Sequence, residues 1–150
     1  KIAFPGMKVT LLDSLNKRIK FLREAAGQLN LSDVKTVHGR AEDCGRQKEF
    51  RENYDFCVSR AVANFSTLAE YCLPFVRKGG YFISYKSVDV EKELVGGEKA
   101  LRILGGKLES SVDFYLPGSE MYRRLVKVKK EKNTPEKYPR KAGLPGREPL

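Results

Sequence analysis

The sequence has no tryptophan, a single histidine and only three cysteines among 150 residues. Cys44, Cys57 and Cys72 are an odd number with no C-x-x-C spacing, and His38 has no second histidine with which to share a metal ion. We therefore expect reduced thiols and no metal site.

Long apolar runs are also absent. No stretch reaches the roughly 18 apolar residues of a membrane-spanning helix, and the first residues contain neither an apolar stretch nor a small-residue cleavage site. The sequence therefore predicts a cytoplasmic protein, which we expect to be a monomer, rather than a membrane or secreted one. With 41% hydrophobic and 32% charged residues, the composition fits one soluble globular domain.

The net charge of +10 is concentrated near the C-terminus, because residues 122–150 contain ten Lys/Arg and only three Asp/Glu. A concentrated positive field attracts polyanions through counterion release, which favours nucleic acid as the partner. A solvated basic tail that only aids solubility explains the charge about as well. Composition alone leaves both interpretations open.

Apolar patterning predicts strands that alternate with helices. Residues 8–13 form a short apolar and β-branched run, typical of a buried strand, whose carboxyl end is Asp13. An amphipathic helix follows, with Ser14 as its expected N-cap. The other predicted elements are strands at 34–37, 56–58 and 81–85, the last after a Gly79-Gly80 turn, and helices at 64–73 and 90–104.

This alternation predicts an α/β fold of right-handed βαβ units with a mostly parallel sheet. Two further predicted strands, 107–116 and 123–130, break the pattern, because the intervening 117–122 is too short for a parallel crossover. We expect them to form an antiparallel pair at the C-terminal end of the sheet. Beyond them the chain is basic and proline-rich without apolar periodicity, which predicts a domain at 1–131 and an extended tail at 132–150.

Asp13 is the first candidate binding residue. An acidic side chain at the carboxyl end of such a strand is placed to accept hydrogen bonds from the two ribose hydroxyls of a nucleoside cofactor. NAD and S-adenosylmethionine both fit this contact, and the antiparallel pair favours S-adenosylmethionine. An aspartate that serves only capping or solubility is the alternative.

Polar residues also follow the later strands. After the second strand, Glu42 and Asp43 either hydrogen-bond the adenine of that cofactor or simply begin a helix. Arg60 ends the third strand, and because burying an unpaired guanidinium is costly, we expect it to have an anionic partner. That partner is a cofactor carboxylate, a phosphate or a neighbouring glutamate. Lys86, which ends the fourth strand, supports the same interpretation.

Five motifs in this order resemble one known family. They lie at 11–18, 38–42, 59–63, 72–76 with 79–80, and 137–143. Together they resemble the RsmG family of bacterial 16S ribosomal RNA guanine-N7 methyltransferases, also called glucose-inhibited division protein B. The similarity covers essentially the whole chain, and it implies the Rossmann-like fold of class I S-adenosylmethionine-dependent methyltransferases.

The resemblance implies methyl transfer from S-adenosylmethionine to N7 of one guanosine in the 530 loop, so the expected partner is 16S rRNA or the small ribosomal subunit. The cofactor residues that it implies are Asp13, Ser14 and Leu15 beside the ribose, Ala41 and Glu42 beside the adenine, and Arg60. The basic residues that it implies are Arg60, Lys86 and Arg40 for positioning the base, and Arg123, Lys137, Arg140 and Lys141 for binding RNA. Ser87 departs from the family, where many members have glycine.

The implied chemistry narrows these roles. Guanine N7 has an available lone pair and loses no proton when it is methylated, so we expect alignment of the reacting atoms and no general base. The methylated ring is cationic and gains nothing from a cation beside N7. We therefore expect Arg60 and Lys86 to face phosphate, guanine O6 or the cofactor carboxylate.

The first strand of this family and its glycine-rich loop, which holds the methionine end of the cofactor, are absent from the sequence. We expect a truncated chain whose two half-sheets share no hydrogen-bonded bridge, and which alone is inactive and binds S-adenosylmethionine weakly. Two other classes remain open. A nicotinamide-dependent enzyme would explain Asp13 but not the antiparallel pair, and a noncatalytic RNA-binding module would explain the basic tail but not the acidic strand ends.

Overall fold

The computed structural model describes residues 1–60, 63–86 and 91–150, without the side chains of Glu91 and Lys92. Several residues named above lie outside the described residues. They are Ala61 and Val62 of the third motif, Ser87, where many family members have glycine, and Val90, the first residue of the helix predicted at 90–104. The described chain divides into two compact units, Lys1–Ala41 and Glu42–Leu150, which are treated separately below.

The first unit contains a strand, a helix and a second strand, as the sequence predicts. They are β1 (Val9–Asp13), α1 (Asn16–Gln28) and β2 (Val34–His38). β1 and β2 are parallel, and their register places Asp13 opposite His38. The prediction of Ser14 as N-cap is wrong, because α1 begins two residues later and its N-cap position is Leu15. Ile19 supplies the buried contact of the helix.

The second unit contains a four-stranded sheet with helices. After α2 (Ala41–Cys44), which begins at the last residue of the first unit, the elements are β3 (Tyr54–Arg60), α3 (Phe65–Cys72), a short 3₁₀ turn (Leu73–Phe75), β4 (Val76–Lys86), α4 (Glu91–Leu104), β5 (Gly106–Tyr115), β6 (Tyr122–Lys130) and α5 (Leu144–Arg147). The strand order is β3-β4-β6-β5. β3 and β4 are parallel, whereas β6 is antiparallel to both of its neighbours.

The predicted antiparallel pair is therefore confirmed, with β6 inserted between β4 and β5. Among the described residues, no strand pairing joins the β1–β2 sheet to the four-stranded sheet. The α/β architecture with parallel pairs first and antiparallel strands last also agrees with the predicted fold class.

β4 is longer than predicted, because the Gly79-Gly80 pair lies inside the strand and not in a turn before it. The register against β3 shifts between Tyr54 and Phe56 at this point. Gly79 has a φ of +85°, and a Cβ on Gly80 would lie 2.6 Å from the Asp55 carbonyl oxygen. Glycine is thus required here by a bulge and a close backbone approach.

Helix α4 continues through Gly96 and Gly97, although glycine is a poor helix former. Gly97 is buried against the Phe65 ring of α3, where a Cβ would clash. The glycine therefore allows the two helices to pack closely. The core beneath them consists of apolar side chains from α3, α4 and the inner face of the sheet: Phe65, Leu68, Ala69, Leu73, Phe82, Ala100, Leu101, Leu104, Val126 and Val128.

The C-terminal segment differs from the predicted extended tail. Thr134, Tyr138 and Pro145 are buried, and residues 132–150 belong to the second unit. Arg51 donates hydrogen bonds to the carbonyl oxygens of Thr134 (2.6 Å) and Tyr138 (2.8 Å). Bonds from side chains to backbone groups require no apolar periodicity in the sequence, which explains why the pattern predicts an extended tail.

Candidate functional site

Each of the two units has its own candidate residues, which lie at the carboxyl ends of its parallel strands. Asp13 ends β1, Arg60 ends β3 and Lys86 ends β4, as the sequence predicts, whereas His38 ends β2 one residue beyond the predicted strand. Within each unit, parallel strands bring their carboxyl ends to one edge, where open α/β sheets bind ligands. The geometry is described first for the Asp13 edge and then for the Arg60 edge.

Asp13 is an oriented hydrogen-bond acceptor. Its Oδ1 accepts from the Leu15 backbone N–H at 2.8 Å, and its Oδ2 lies 3.3 Å from Arg18 Nη1. The Arg18 side chain is 67% exposed, so this ion pair contributes little to stability. An ionised carboxylate offers about four lone-pair positions, which leaves acceptor capacity for two ribose hydroxyls.

Ser14 and Leu15 flank this carboxylate. Ser14 is exposed, and its carbonyl oxygen lies 3.1 Å from His38 Nε2. A carbonyl oxygen can only accept a hydrogen bond, so His38 is the donor in this contact and its Nε2 carries the hydrogen. Leu15 exposes about half of its surface (52%) next to Asp13. The three predicted ribose-side residues thus stand together at the end of β1.

Glu42 has a different environment from the one predicted. Its side chain is buried, and Oε1 accepts a hydrogen bond from the Gly143 backbone N–H at 2.8 Å. Glu42 and Asp43 lie in the first turn of α2, which agrees with the alternative that they begin a helix. The carboxylate therefore serves the C-terminal segment, while Ala41 is half-buried and Arg40 is exposed.

Arg60 is exposed at the end of β3, next to Tyr85 in the register with β4. The argument that a buried guanidinium needs an anionic partner does not apply to an exposed side chain. The predicted role of Arg60 consequently depends on its place at the strand end and on the resemblance of its motif.

Lys86 has the carboxylate partner that the sequence left open. Its side chain is only 14% exposed, and Nζ lies 2.7 Å from Glu93 Oε2 of α4. The same ammonium donates to the Ala63 carbonyl oxygen at 3.3 Å. Lys86 is therefore held between α4 and the segment that follows β3.

Arg140, predicted to bind RNA, forms an ion pair inside the protein. Its Nη2 lies 2.7 Å from Oε2 of Glu70, whose side chain is fully buried, and another bond from Nη2 reaches the Glu148 carbonyl oxygen at 2.7 Å. The pairing with Glu70 raises the pKa of Arg140 above its ordinary value. Lys137 and Lys141 on the same segment are exposed, and Arg123 is half-buried.

Lys130 is a buried cation at the end of β6. Its Nζ donates to the Leu73 carbonyl oxygen at 2.6 Å and to Thr134 Oγ1, and it lies 3.2 Å from Glu52 Oε1. Burial lowers the pKa of Lys130 to about 8, even though the nearby Glu52 carboxylate opposes that shift. In the sequence this lysine is one of the basic residues of the region 122–150. In the structure it is buried and forms a hydrogen bond with Thr134.

Two observations concern what the described part of the chain lacks. Within it, no group of three or more His, Cys, Asp or Glu side chains is arranged to hold a metal ion. None of its helices is both long and apolar enough to span a membrane. The cysteines Cys44, Cys57 and Cys72 are free thiols.

Comparison with known proteins decides the family. A family model described as rRNA small subunit methyltransferase G matches residues 1–122. The chain belongs to this family. A relative from Alkaliphilus oremlandii, named ribosomal RNA small subunit methyltransferase G, is 52% identical over all 150 residues. The chain covers 63% of that relative, so it spans less than two thirds of its length.

Solved structures confirm the fold class. The chain matches a structure described as NSun6 from Pyrococcus horikoshii with SFG at a TM-score of 0.66, with 14% identity, over 88% of this chain and 44% of the other. It also matches M. jannaschii TYW2 in complex with AdoMet at a TM-score of 0.60, with 14% identity, over 82% and 58% of the two chains. At such low identity these likenesses show a methyltransferase fold and nothing about substrate.

The sequence analysis did not identify two acidic residues that contact predicted site residues. They are Glu70, which pairs with Arg140, and Glu93, which pairs with Lys86. Glu70 is the one charged residue among the buried residues of α3, and a lone carboxylate in such a position is a usable signal for a buried ion pair. Glu93 lies near the start of α4 among other charged residues, and no local pattern distinguishes it. Its role depends on tertiary contacts.

Proposed function

We propose that the protein carrying these residues transfers a methyl group from S-adenosylmethionine to N7 of a guanosine in the 530 loop of 16S rRNA. The observation that carries the proposal is the Asp13 carboxylate, fixed at the end of β1 by the Leu15 N–H in a chain of the methyltransferase G family. The name of that family supports small-subunit rRNA as the substrate. The N7 atom and the loop come from the motif resemblance.

S-adenosylmethionine fits the residues of the Asp13 edge. The ribose diol would donate to Asp13, whose remaining lone pairs are available, beside the exposed Ser14 and Leu15. The cofactor supplies an electrophilic methyl group on its sulfonium. Two structural neighbours of the same fold are described with SFG and with AdoMet, which favours this cofactor over a nicotinamide.

The basic candidate residues align the guanine and bind the RNA. Because N7 loses no proton, Arg60 and Lys86 act by positioning, with phosphate, guanine O6 or the cofactor carboxylate as their partners. Arg40, Arg123, Lys137 and Lys141 supply the positive field for the RNA backbone. Arg140 contributes indirectly, since Glu70 and the Glu148 carbonyl oxygen take the donors on its Nε and Nη2. We also place the protein in the cytoplasm as a monomer.

The test is methyl transfer by the full-length protein with radiolabelled S-adenosylmethionine. Small subunits and naked 16S rRNA, both lacking N7-methylguanosine, are the two substrates, and mass spectrometry of nuclease fragments locates the label. We expect about one methyl group per RNA, on a guanine of the 530 loop. Label on another atom would correct the chemistry, and RNA binding without any incorporation would favour the noncatalytic RNA-binding alternative.

A further inference from the structure

Glu93 connects three elements that meet at the Arg60 edge. Its Oε2 accepts from Lys86 Nζ at 2.7 Å and from the Phe65 backbone N–H at 3.1 Å. The Lys86 ammonium in turn donates to the Ala63 carbonyl oxygen at 3.3 Å. One carboxylate oxygen thus joins the end of β4 to the first residue of α3, from a position near the start of α4.

These contacts determine where the Lys86 ammonium can lie. A lysine side chain is a flexible stem with three N–H donors, and holding it in one place costs rotamer entropy. Within the described residues, two of its donors are directed at Glu93 and Ala63. One N–H remains for a substrate acceptor, and its direction is fixed by the other two.

The negative charge of Glu93 also favours a role in positioning Lys86. In the proposed reaction both the sulfonium cofactor and the methylated guanine ring are cationic, so an uncompensated Lys86 would oppose the chemistry. The Glu93 carboxylate at 2.7 Å offsets that charge while leaving Lys86 able to donate a hydrogen bond. With 14% and 40% of the two side chains exposed, the pair is partly shielded from water.

A purely structural role, capping α3, is the competing explanation. The N-cap of α3 is Asn64, whose side chain already accepts from the Thr67 N–H at 2.9 Å. The bond from the Phe65 N–H to Glu93 is therefore an addition to an existing cap. Loss of Glu93 is expected to leave α3 folded.

We propose that Glu93 is a positioning residue, which holds Lys86 in the geometry that orients the target guanine. This inference rests on the proposed methyl transfer. Glu93 itself touches neither substrate nor cofactor and acts through Lys86, so its effect must disappear when Lys86 is absent.

The experiment compares four forms of the full-length protein: wild type, Glu93→Gln, Lys86→Met and the double variant. Glutamine keeps the shape and an acceptor but removes the charge, and Glu98→Gln, at an exposed position of the same helix, is the matched control. We expect Glu93→Gln to lower kcat about tenfold with KM for the small subunit changed less than about twofold. The double variant should be no slower than Lys86→Met, and Glu98→Gln should resemble wild type.

Two results would overturn the inference. One is a kcat of Glu93→Gln equal to that of wild type. The other is a double variant whose loss equals the product of the single losses, which would mean that Glu93 acts independently of Lys86 or through folding. Thermal unfolding of each variant, expected within about 3 °C of wild type, checks the fold directly. A wild-type protein without any methyl transfer would instead contradict the proposed function.

Discussion

The guanidinium of Arg140 lies against the fully buried carboxylate of Glu70, with Nη2 2.7 Å from Oε2 and Nε 3.0 Å from Oε1. The Arg140 backbone N–H donates to the same carboxylate at 2.7 Å. A planar guanidinium matches a carboxylate in this paired geometry, which lysine cannot reproduce. Part of the basic C-terminal motif therefore attaches its own segment to α3.

The first prediction concerns this ion pair. Arg140→Ala should lower the free energy of unfolding by about 3–5 kcal/mol, because it leaves the Glu70 charge buried without its partner. Lys141→Ala, one residue away and exposed, is the control and should change it by less than about 0.5 kcal/mol. Urea denaturation measures both. Equal stability of the two variants would show that Arg140 is not structural.

The second prediction separates RNA contacts from structural cations. Lys137→Ala and Lys141→Ala should each weaken RNA binding and reduce the slope of log K against log salt by about one, since in the proposed function each lysine neutralises a phosphate. Lys78→Ala, exposed near the amino end of β4, is the control and should leave the slope unchanged. A slope that responds equally to all three changes would indicate a diffuse charge effect. Filter binding over a salt series measures it.

Local patterns in the sequence were sufficient to predict several features of the fold. The strand ends at Asp13, Arg60 and Lys86 were predictable, because a short apolar run that stops at a charged residue is a local pattern. The antiparallel final strands were predictable from loop length alone. The position of β6 between β4 and β5 was not, since no loop length specifies it.

The remaining site features depend on contacts between residues that are distant in sequence. Arg51 binds carbonyl oxygens more than 80 positions away, and Glu42 accepts from Gly143 across a similar distance. Such bonds use backbone groups, which every residue carries, so the sequence contains no signal for them. Lys130 and Arg140 both belong to the basic region 122–150, yet Lys130 is fully buried and Arg140 pairs with the buried Glu70.

The third prediction tests the ribose contact. Asp13→Asn keeps an oxygen that can accept from the Leu15 N–H but removes the charge and replaces one acceptor oxygen with a donor. Loss of a hydrogen bond to a charged acceptor costs about 1.5–3 kcal/mol, so Kd for S-adenosylmethionine should rise about 10- to 100-fold in the full-length protein. Calorimetry measures this change.

The control for that measurement is Asp33→Asn. Asp33 is an exposed aspartate just before β2, with a φ of 50° that asparagine also tolerates. The affinity of the Asp33→Asn variant for S-adenosylmethionine should equal that of the wild-type protein. Unchanged affinity in Asp13→Asn would contradict the assignment of Asp13 to the ribose.

The fourth prediction follows from the buried lysine of β6. In the folded protein the pKa of Lys130 is about 8, against an ordinary value of 10.5, so between these values the unfolded chain binds more protons than the folded one. The contribution of Lys130 to the free energy of unfolding therefore rises with pH across this window, by at most about 3 kcal/mol. Below pH 8 the full cost of burying the charge is present.

The measurement is the difference in unfolding free energy between wild type and Lys130→Met, determined from urea denaturation at several pH values from 7.5 to 10.5. Groups common to both proteins cancel in the difference, which isolates Lys130. We expect the difference to shift in favour of wild type by about 2–3 kcal/mol as the pH rises. Lys129→Met, at the exposed neighbouring position, should give a curve parallel to wild type. A parallel curve for Lys130→Met as well would mean that Lys130 titrates as an ordinary surface lysine, and that its bonds to Leu73 and Thr134 do not persist in solution.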